Sequence, residues 1–190
     1  MTVFGYMGQS LDGYIAGVNH ELDWLHQLEN PTGDDLGYSA FMSQIDVLLM
    51  GRVTFEQIQN FPEWPYQCPV FIASNTLSAP DIPENLQDRV KVLSGTTQQI
   101  LQTLQMDYQH IYVDGGQLLR SFLREGLLDE MIITTLPILL GEGISLFRGL
   151  RSLVTLKLLS SQMLIGQVVQ SHYIISKKSA DTDYCKSIIT

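Results

Sequence analysis

Positive charge, cysteine and long apolar runs are all scarce in this sequence. Lysine and arginine together number 11 against 20 aspartates and glutamates, so the formal net charge is −9 at pH 7. A protein of that charge repels a phosphate backbone, which argues against a nucleic-acid partner. Any anion that it binds must be met by a few well-placed cations or by backbone N–H groups.

The scarcity of cysteine points to a reducing compartment. Cys68 and Cys185 form no CxxC motif and lie far apart in the sequence, which does not fit a disulfide framework. No apolar run approaches the length of a membrane span, and the N-terminus lacks the basic start and apolar core of a signal peptide. We therefore expect a cytoplasmic protein without a membrane partner.

Motifs for metal-dependent and nucleophilic hydrolysis are missing as well. The four histidines are scattered without ligand spacing, and no HxE precedes a CxxC, so the sequence predicts no metal site. No G-x-S-x-G nucleophile elbow occurs. The chemistry of this protein is therefore expected to come from a bound cofactor.

The chain does have a large hydrophobic fraction, 45% of 190 residues, which is enough for one domain with a sizeable core. We expect that domain to span residues 1–178 and a polar tail to occupy 179–190. Apolar runs predict strands at residues 2–8, 45–50, 70–73, 90–93, 111–113 and 131–137. Helical periodicity predicts helices at residues 35–44, 53–59, 96–106 and 117–125.

The order of these elements predicts the fold class. Strands alternate with helices as far as residue 137, which indicates an α/β fold with a mostly parallel central sheet and flanking helices on both faces. Two further strands, at 154–160 and 166–176, have no helix between them and predict a C-terminal antiparallel hairpin. In the helix predicted at 117–125, Arg120 and Arg124 are expected to face water, and Gly126 is placed to end it.

Two glycine-containing corners follow predicted strands. In MGRVTFE, Gly51 permits close backbone approach, Arg52 can fork onto a phosphate, and Thr54 can add a hydroxyl at a helix start. In YVDGGQLL, Gly115 and Gly116 would bring backbone amides against a pyrophosphate in the same way. Each corner alone is also consistent with an ordinary strand-to-helix turn. Two corners in one sheet strengthen each other, because a dinucleotide needs several anchoring points.

Three acids are candidates for polar contacts near such a ligand. Asp114 can bond a ribose hydroxyl or cap the helix that follows it. Asp12 in SLDGYIA either lies at the mouth of a pocket or simply forms the Asp-Gly turn. Asp35 begins a predicted helix, where the helix dipole favours an acid with or without a ligand. The GEG at residues 141–143 lacks the third glycine and the context of a Rossmann fingerprint, so we interpret it as a loop.

Five motifs stand in order along the chain: SLDGYIA, MGRVTFE, IASNTL, YVDGGQLL and LPILLGEGISLF. Together they resemble the dihydrofolate reductase superfamily, and most closely its branch related to the C-terminal reductase domain of the bifunctional riboflavin-biosynthesis deaminase/reductase. The resemblance runs from about residue 2 to residue 176. It implies a three-layer fold of the dihydrofolate reductase type, NADPH as cofactor, a small-molecule substrate and a homodimer.

The same resemblance implies roles for individual residues. The adenosine-side phosphates would contact Gly51, Arg52 and Thr54, and the 2′-phosphate would lie beside Ser74 and Asn75. The pyrophosphate would contact Gly115, Gly116, Gln117 and Leu118, and the nicotinamide would be bordered by Gly8 and Ile15. Asp12 would sit at the substrate entrance, and Trp24 resembles the tryptophan of the loop that covers the site. Trp64 and Tyr66 either line the pocket or pack in the aromatic-proline loop that holds them.

The function implied is an NADPH-dependent reductase of a small heterocyclic substrate, similar to 5-amino-6-(5-phosphoribosylamino)uracil reductase. Asp12 or Asp35 would be the catalytic group that orients substrate or water. A dihydrofolate or pterin reductase is an alternative, because Asp35 precedes Gly51 by 16 residues, which resembles the placement of the substrate-binding acid in that family. A nucleotide-binding protein without catalysis is a third hypothesis, since Gly37 and Ser39 depart from the pattern around that acid.

Overall fold

A large β-sheet organises the chain, and the computed structural model describes residues 1–150 and 152–176. The strands are β1 (Thr2–Ser10), β2 (Tyr14–Ala16), β3 (Val47–Gly51), β4 (Val70–Ala73), β5 (Val90–Leu93), β6 (His110–Asp114), β7 (Glu130–Leu136), β8 (Ile144–Ser145), β9 (Leu156–Leu164) and β10 (Val168–Ile175). The α-helices are α1 (Tyr38–Met42), α2 (Arg52–Ile58), α3 (Thr97–Leu104) and α4 (Gly116–Arg124). None of the helices in these ranges is long and apolar enough to cross a membrane.

Eight strands form the main sheet in the order β5-β4-β3-β6-β1-β7-β10-β9. The strands from β5 to β7 run parallel, β10 is antiparallel to β7, and β9 is antiparallel to β10. The predicted mostly parallel sheet and C-terminal hairpin are therefore confirmed. The carboxyl ends of the parallel strands meet along one edge of the sheet.

The chain changes direction across the sheet between β3 and β6. From β3 the connection through α2 leads outward to β4, and from β6 the connection through α4 leads the other way, past β1 to β7. Met50 at the end of β3 pairs with Asp114 at the end of β6. Such a switch point opens a crevice at the carboxyl edge, where ligands of open α/β sheets bind.

Helices cover both faces of the sheet and bury a core on each. Leu119 and Phe122 of α4 join a cluster that also contains residues of α3, whereas Phe41 of α1 and Phe55 of α2 pack on the opposite face. Burying an aliphatic or aromatic side chain of this size stabilises the fold by about 1.5–3 kcal/mol. The packing therefore holds α2 and α4 rigidly on either side of the switch point.

Backbone conformation accounts for the main differences from the predicted elements. Helix α1 begins at Tyr38 and not at residue 35, because Leu36 and Gly37 have φ angles of 56° and 81°. Helix α4 ends at Arg124, and Gly126, which was predicted to end it, follows two residues later and donates its N–H to the Leu123 carbonyl. The short strands β2 and β8 were not predicted, because a strand of two or three residues has no measurable alternation. The predicted tail at 179–190, with Cys185, lies outside the described residues.

Candidate active site

A cleft of about 740 Å³ opens at the carboxyl edge of the sheet, over the switch point. Its walls come from the end of β3 with α2, the end of β6 with α4, and the β2 and β8 segments. Ligand pockets commonly measure roughly 300–1,000 Å³. A second cavity, of about 380 Å³, lies at the opposite edge, against the amino ends of β4 and β5. The larger cleft is therefore the candidate active site.

The two glycine corners predicted from the sequence meet inside this cleft. Gly115 has a φ of +94°, and a Cβ there would lie 2.5 Å from Thr54 Oγ1. The same hypothetical Cβ would lie 3.6 Å from the Gly51 backbone nitrogen. Because no side chain fits between the corners, each keeps its backbone amides close to the other. The result is one amide-lined surface at the start of α4.

Arg120 overhangs this surface, which differs from its predicted position in water. A Cβ on Gly116 would lie 2.0 Å from Ile15 Cδ1 and 3.7 Å from Arg120 Nη1. Arg120 donates a hydrogen bond of 2.8 Å to the Ser145 carbonyl, and burial followed by the neighbouring charge of Arg124 lowers the pKa of its guanidinium. The reason is the helix period: residues four apart share a face, so Arg120 lies above Gly116. Arg124 is exposed as predicted.

Arg52 lines the cleft on the α2 side and forms an ion pair with Glu56. Its Nη1 lies 3.0 Å from Glu56 Oε1, and both side chains are about half exposed. An exposed pair four residues apart on a helix contributes little, about 0.3–0.5 kcal/mol. A phosphate can therefore replace Glu56 as the partner of Arg52 at small cost.

Most of the residues predicted to contact the cofactor line the cleft. These are Ile15, Gly51, Arg52, Thr54, Ser74, Gly115, Gly116, Gln117 and Leu118. Asn75 and Gly8 lie outside the lining. The Asn75 Oδ1 accepts the Gly95 N–H at 2.7 Å and so ties the loops after β4 and β5 together. Gly8 faces Leu25, whose Cδ2 would lie 3.7 Å from a Cβ there, and Met7 lines the cleft in its place.

Asp114 is the one acidic side chain that lines the cleft among the described residues. It accepts the Gly115 N–H at 2.7 Å and lies within hydrogen-bond reach of the Tyr112 hydroxyl. Desolvation raises the pKa of its carboxyl group. Burial, and next the charge of Asp114, raise the pKa values of Tyr38 and Tyr66. A carboxyl group that lines the cleft therefore lies among three phenols. The sequence did not reveal this cluster because its members come from three separate segments: β6, α1 and the loop after α2.

Asp12 lies outside the cleft and links the SLDGYIA motif to the LPILLGEGISLF motif. Its carboxylate accepts hydrogen bonds from Ser10 Oγ at 2.6 Å and from the Leu140 and Gly141 amides at 3.2 and 2.8 Å. These bonds, that of Ser10 first, lower its pKa. Asp12 therefore fastens the turn before β2 to the GEG loop before β8, and both short strands wall the cleft.

Asp35 caps the start of α1. Its carboxylate accepts the Gly37 and Ser39 amides at 2.9 and 2.8 Å, and hydrogen bonds, first that of the Ser39 side chain, lower its pKa. Neither Asp35 nor Asp12 is among the residues that line the cleft. Their catalytic roles stay predictions, and their positions fit a role in shaping the loops around the site.

Aromatic residues of the loops buttress the cleft. Trp24 is buried in the 3₁₀ helix Asp23–Gln27, packed against Leu136, while the preceding Leu22 lines the cleft. Tyr66 also lines the cleft, and Trp64 packs on it with ring centroids 5.4 Å apart. The pocket interpretation therefore holds for Tyr66 and the packing interpretation for Trp64.

Comparison with known proteins agrees with this architecture. The family model for the RibD C-terminal domain matches residues 2–170. The uncharacterized protein YwjB of Bacillus subtilis (strain 168) is 35% identical over 176 residues, which cover 89% of this chain and 95% of YwjB. A proposed riboflavin biosynthesis protein from Shewanella sp. PV-4 has a crystal structure with a TM-score of 0.87 and 37% identity, covering 93% of this chain and 100% of that one.

A dihydrofolate reductase shares the same fold at lower identity. The enzyme from Enterococcus faecalis, complexed with NADP(H) and RAB-propyl, gives a TM-score of 0.63 at 16% identity and covers 93% of this chain and 97% of its own. The predicted fold of the dihydrofolate reductase type is thereby confirmed, and so is the resemblance that the five motifs carry. The chain belongs to the RibD C-terminal domain family, a family of reductases.

Proposed function

We propose that this chain is an NADPH-dependent reductase of a small heterocyclic substrate, related in reaction to 5-amino-6-(5-phosphoribosylamino)uracil reductase. One observation carries the proposal: the corners at Gly51 and Gly115 meet in a single cleft with an arginine on either side. Backbone amides at a helix start and nearby arginines are the groups that bind nucleotide phosphates.

In this proposal the cofactor lies along the carboxyl edge of the sheet. Its adenosine end would rest near Ser74 and Arg52, after β4 and β3, with the 2′-phosphate on Arg52. Its pyrophosphate would rest on the amides of Gly116 and Gln117 at the start of α4, because the Gly115 N–H donates to Asp114. Its nicotinamide would reach Ile15 beside β1. The similarly folded dihydrofolate reductase that is complexed with NADP(H) supports, as an analogy, the binding of this cofactor by the fold. Gly8 and Asn75 stay predictions as cofactor contacts.

We propose Asp114 as the proton donor of the reaction. A nicotinamide bound beside Ile15 would supply hydride chemistry, and the oxygen or nitrogen of the reduced double bond would need a proton from the protein or from water. Asp114 is the acid that lines the cleft, and its raised pKa favours the protonated form that a donor needs. Asp12 and Asp35 would act indirectly, by holding the loops that orient substrate.

The pterin-reductase alternative requires Asp35 to face the pocket. Asp35 instead accepts hydrogen bonds from its own turn, so no contact in the structure favours that alternative over the first proposal. Turnover of dihydropterin that is lost in an Asp35→Asn variant, with α1 intact by circular dichroism, would restore it. Cofactor binding without turnover of any carbonyl or imine acceptor would favour the third hypothesis, a nucleotide-binding protein.

Thermal unfolding is expected to show selective binding of NADPH over NADH. A ligand at 100 times its Kd stabilises the folded state by about 2.7 kcal/mol. Replacing Arg52 with alanine should weaken NADPH binding by about tenfold or more, because charge-assisted hydrogen bonds contribute about 1.5–3 kcal/mol, and should leave the weaker NADH binding unchanged. Titration of each nucleotide against the unfolding temperature measures both effects.

Two variants control this experiment. Arg124→Ala removes an exposed arginine from the far end of α4 and should alter neither affinity. Glu56→Gln releases Arg52 from its ion pair and should tighten NADPH binding but not NADH binding. Equal losses of NADPH and NADH affinity in Arg52→Ala would refute the assignment of the 2′-phosphate to Arg52.

A homodimer forms part of the proposal and has a candidate surface on the C-terminal hairpin. The cross-strand register puts Leu158, Met163 and Val169 on one face of β9 and β10, and these side chains are 54%, 69% and 46% exposed. An exposed apolar stripe on an edge of a sheet favours association with another chain. We propose that a second copy covers this stripe about a two-fold axis.

A charge placed in the stripe should dissociate the dimer. Met163→Lys puts like charges opposite each other in an isologous interface, so light scattering is expected to report a monomer mass for the variant and a dimer mass for the wild type. Leu139→Lys is the control, since Leu139 is also highly exposed but lies outside the hairpin. A wild-type monomer would rule out the dimer.

A further inference from the structure

Basic side chains are missing from one end of the chain. Residues 1–51 contain no lysine or arginine, whereas seven aspartates and glutamates occur there. This segment forms β1, β2, α1 and β3, and therefore the part of the site on the β1 side. None of these seven acids lines the cleft, to which the segment contributes Met7, Ile15, Ala16, His20, Leu22 and Gly51.

Most of the basic residues that the structure describes lie away from the cleft where the substrate would bind. Of these, only Arg52 and Arg120 line the cleft. Arg89 and Lys91 belong to the smaller cavity at the opposite edge, and Arg124, Arg148 and Lys157 are exposed and outside the cleft. His20 is the one further side chain of the lining that can carry positive charge.

Both arginines are engaged by the proposed cofactor. Arg52 begins α2, and Arg120 overhangs Gly116 at the start of α4, so together they face the positions proposed for the 2′-phosphate and the pyrophosphate. Other residues of the lining include Met7, His20, Leu22 and Tyr66 and the carboxyl group of Asp114. Apart from Arg52 and Arg120, the lining that the described residues form contains no arginine or lysine for a further anion, and His20 is its one other basic side chain.

We propose, on the basis of the function above, that the heterocyclic substrate is bound without a phosphate group. A phosphate dianion that leaves water needs charged partners, and removing it from water without them is costly. Asp114 adds repulsion whenever it is ionised. The cleft therefore selects an uncharged or cationic heterocycle and rejects its phosphate ester, which is specificity achieved by an unfavourable contact.

The test compares a ribosylaminopyrimidine with its 5′-phosphate on the NADPH-saturated protein. Binding is measured as the additional rise in unfolding temperature, and turnover as NADPH oxidation. We expect the unphosphorylated compound to bind and react at least about tenfold better, a difference of 1.4 kcal/mol.

A lysine added to the cleft should change that preference. Leu22 is 38% exposed and lines the cleft, whereas Val18, four residues earlier, is 57% exposed and does not. Leu22→Lys is expected to raise the affinity for the phosphate ester about tenfold, the effect of a charged hydrogen bond, and Val18→Lys to leave it unchanged. This pair separates the local effect of the lysine from its effect on net charge.

Each outcome decides one of the two proposals. If NADPH causes no thermal shift, the proposed function fails, and this inference with it. If NADPH binds and the phosphate ester then binds as well as or better than the unphosphorylated compound, the inference alone fails. It also fails if neither compound binds to the NADPH complex, or if Leu22→Lys leaves the preference unchanged.

Discussion

Replacing Gly115 with alanine is expected to weaken NADPH binding by about tenfold to a hundredfold, since each hydrogen bond to a charged phosphate that is lost costs about 1.5–3 kcal/mol. Gly115 has a φ of +94°, and the added Cβ would lie 2.5 Å from Thr54 Oγ1. Either the strand-to-helix corner or Thr54 must move, and both belong to the surface proposed for the phosphates. Fluorescence titration with NADPH measures the loss.

Gly126→Ala is the matched control for this variant. Gly126 ends α4 with a φ of +69°, but nothing lies within 4 Å of a Cβ there. An L-residue in left-handed backbone costs about 1–2 kcal/mol, so this variant should lose stability and keep its NADPH affinity. If the two variants lose equal affinity, backbone strain and not the contact between the corners would explain the result.

Replacing Asp114 with asparagine should slow hydride transfer by about 10²–10⁴-fold, the usual contribution of a general acid, while NADPH affinity stays unchanged. Asparagine can still accept the Gly115 N–H, which Asp114 accepts at 2.7 Å, so the corner keeps its geometry. What the variant loses is the proton. Single-turnover oxidation of bound NADPH in the presence of substrate measures the chemical step apart from binding.

The Asp114→Asn variant should gain stability although it loses activity. Desolvation raises the pKa of Asp114 in the folded state, so the folded protein holds this proton to higher pH than the unfolded chain does. The free energy of unfolding therefore falls as pH rises from the unfolded pKa through the folded one. Asp114→Asn removes that decrease and should be more stable than the wild type above this range, while activity is lost. A stabilising substitution that abolishes activity marks a functional acid.

Asp46→Asn is the control of opposite sign. The Asp46 carboxylate accepts the His110 and Gln109 amides at 2.7 and 2.8 Å, and these bonds, that of His110 first, lower its pKa. Its contribution is present above the unfolded pKa and is lost as pH falls through the folded pKa. This variant should lose stability at neutral pH and keep full turnover.

Turnover that survives in Asp114→Asn would remove Asp114 from the mechanism.

The candidate site shows how far sequence patterns reach. Gly51 and Gly115 were identifiable because a glycine directly after an apolar strand and before a helix is a local pattern. The role of Asp35 could not be identified in this way, because the helix dipole and a ligand both favour an acid at the start of a helix. Only the backbone conformation at Leu36 and Gly37 shows that Asp35 caps its own turn. Arg120 was assigned to water because a hydrophobic stripe indicates which helical residues face the core and does not indicate which face a cleft.

The sequence by itself determined the order of strands and helices, the two phosphate-type corners and the family, because each depends on residues adjacent in the chain. Tertiary structure decided which residues share the cleft. Pairing of β3 with β6 brings Thr54 against Gly115, and folding brings Tyr38 and Tyr66 from distant segments to Asp114 and its neighbour in β6, Tyr112. The burial that raises the pKa of Asp114 exists only once these segments pack around it, so no pattern along the chain could have shown it.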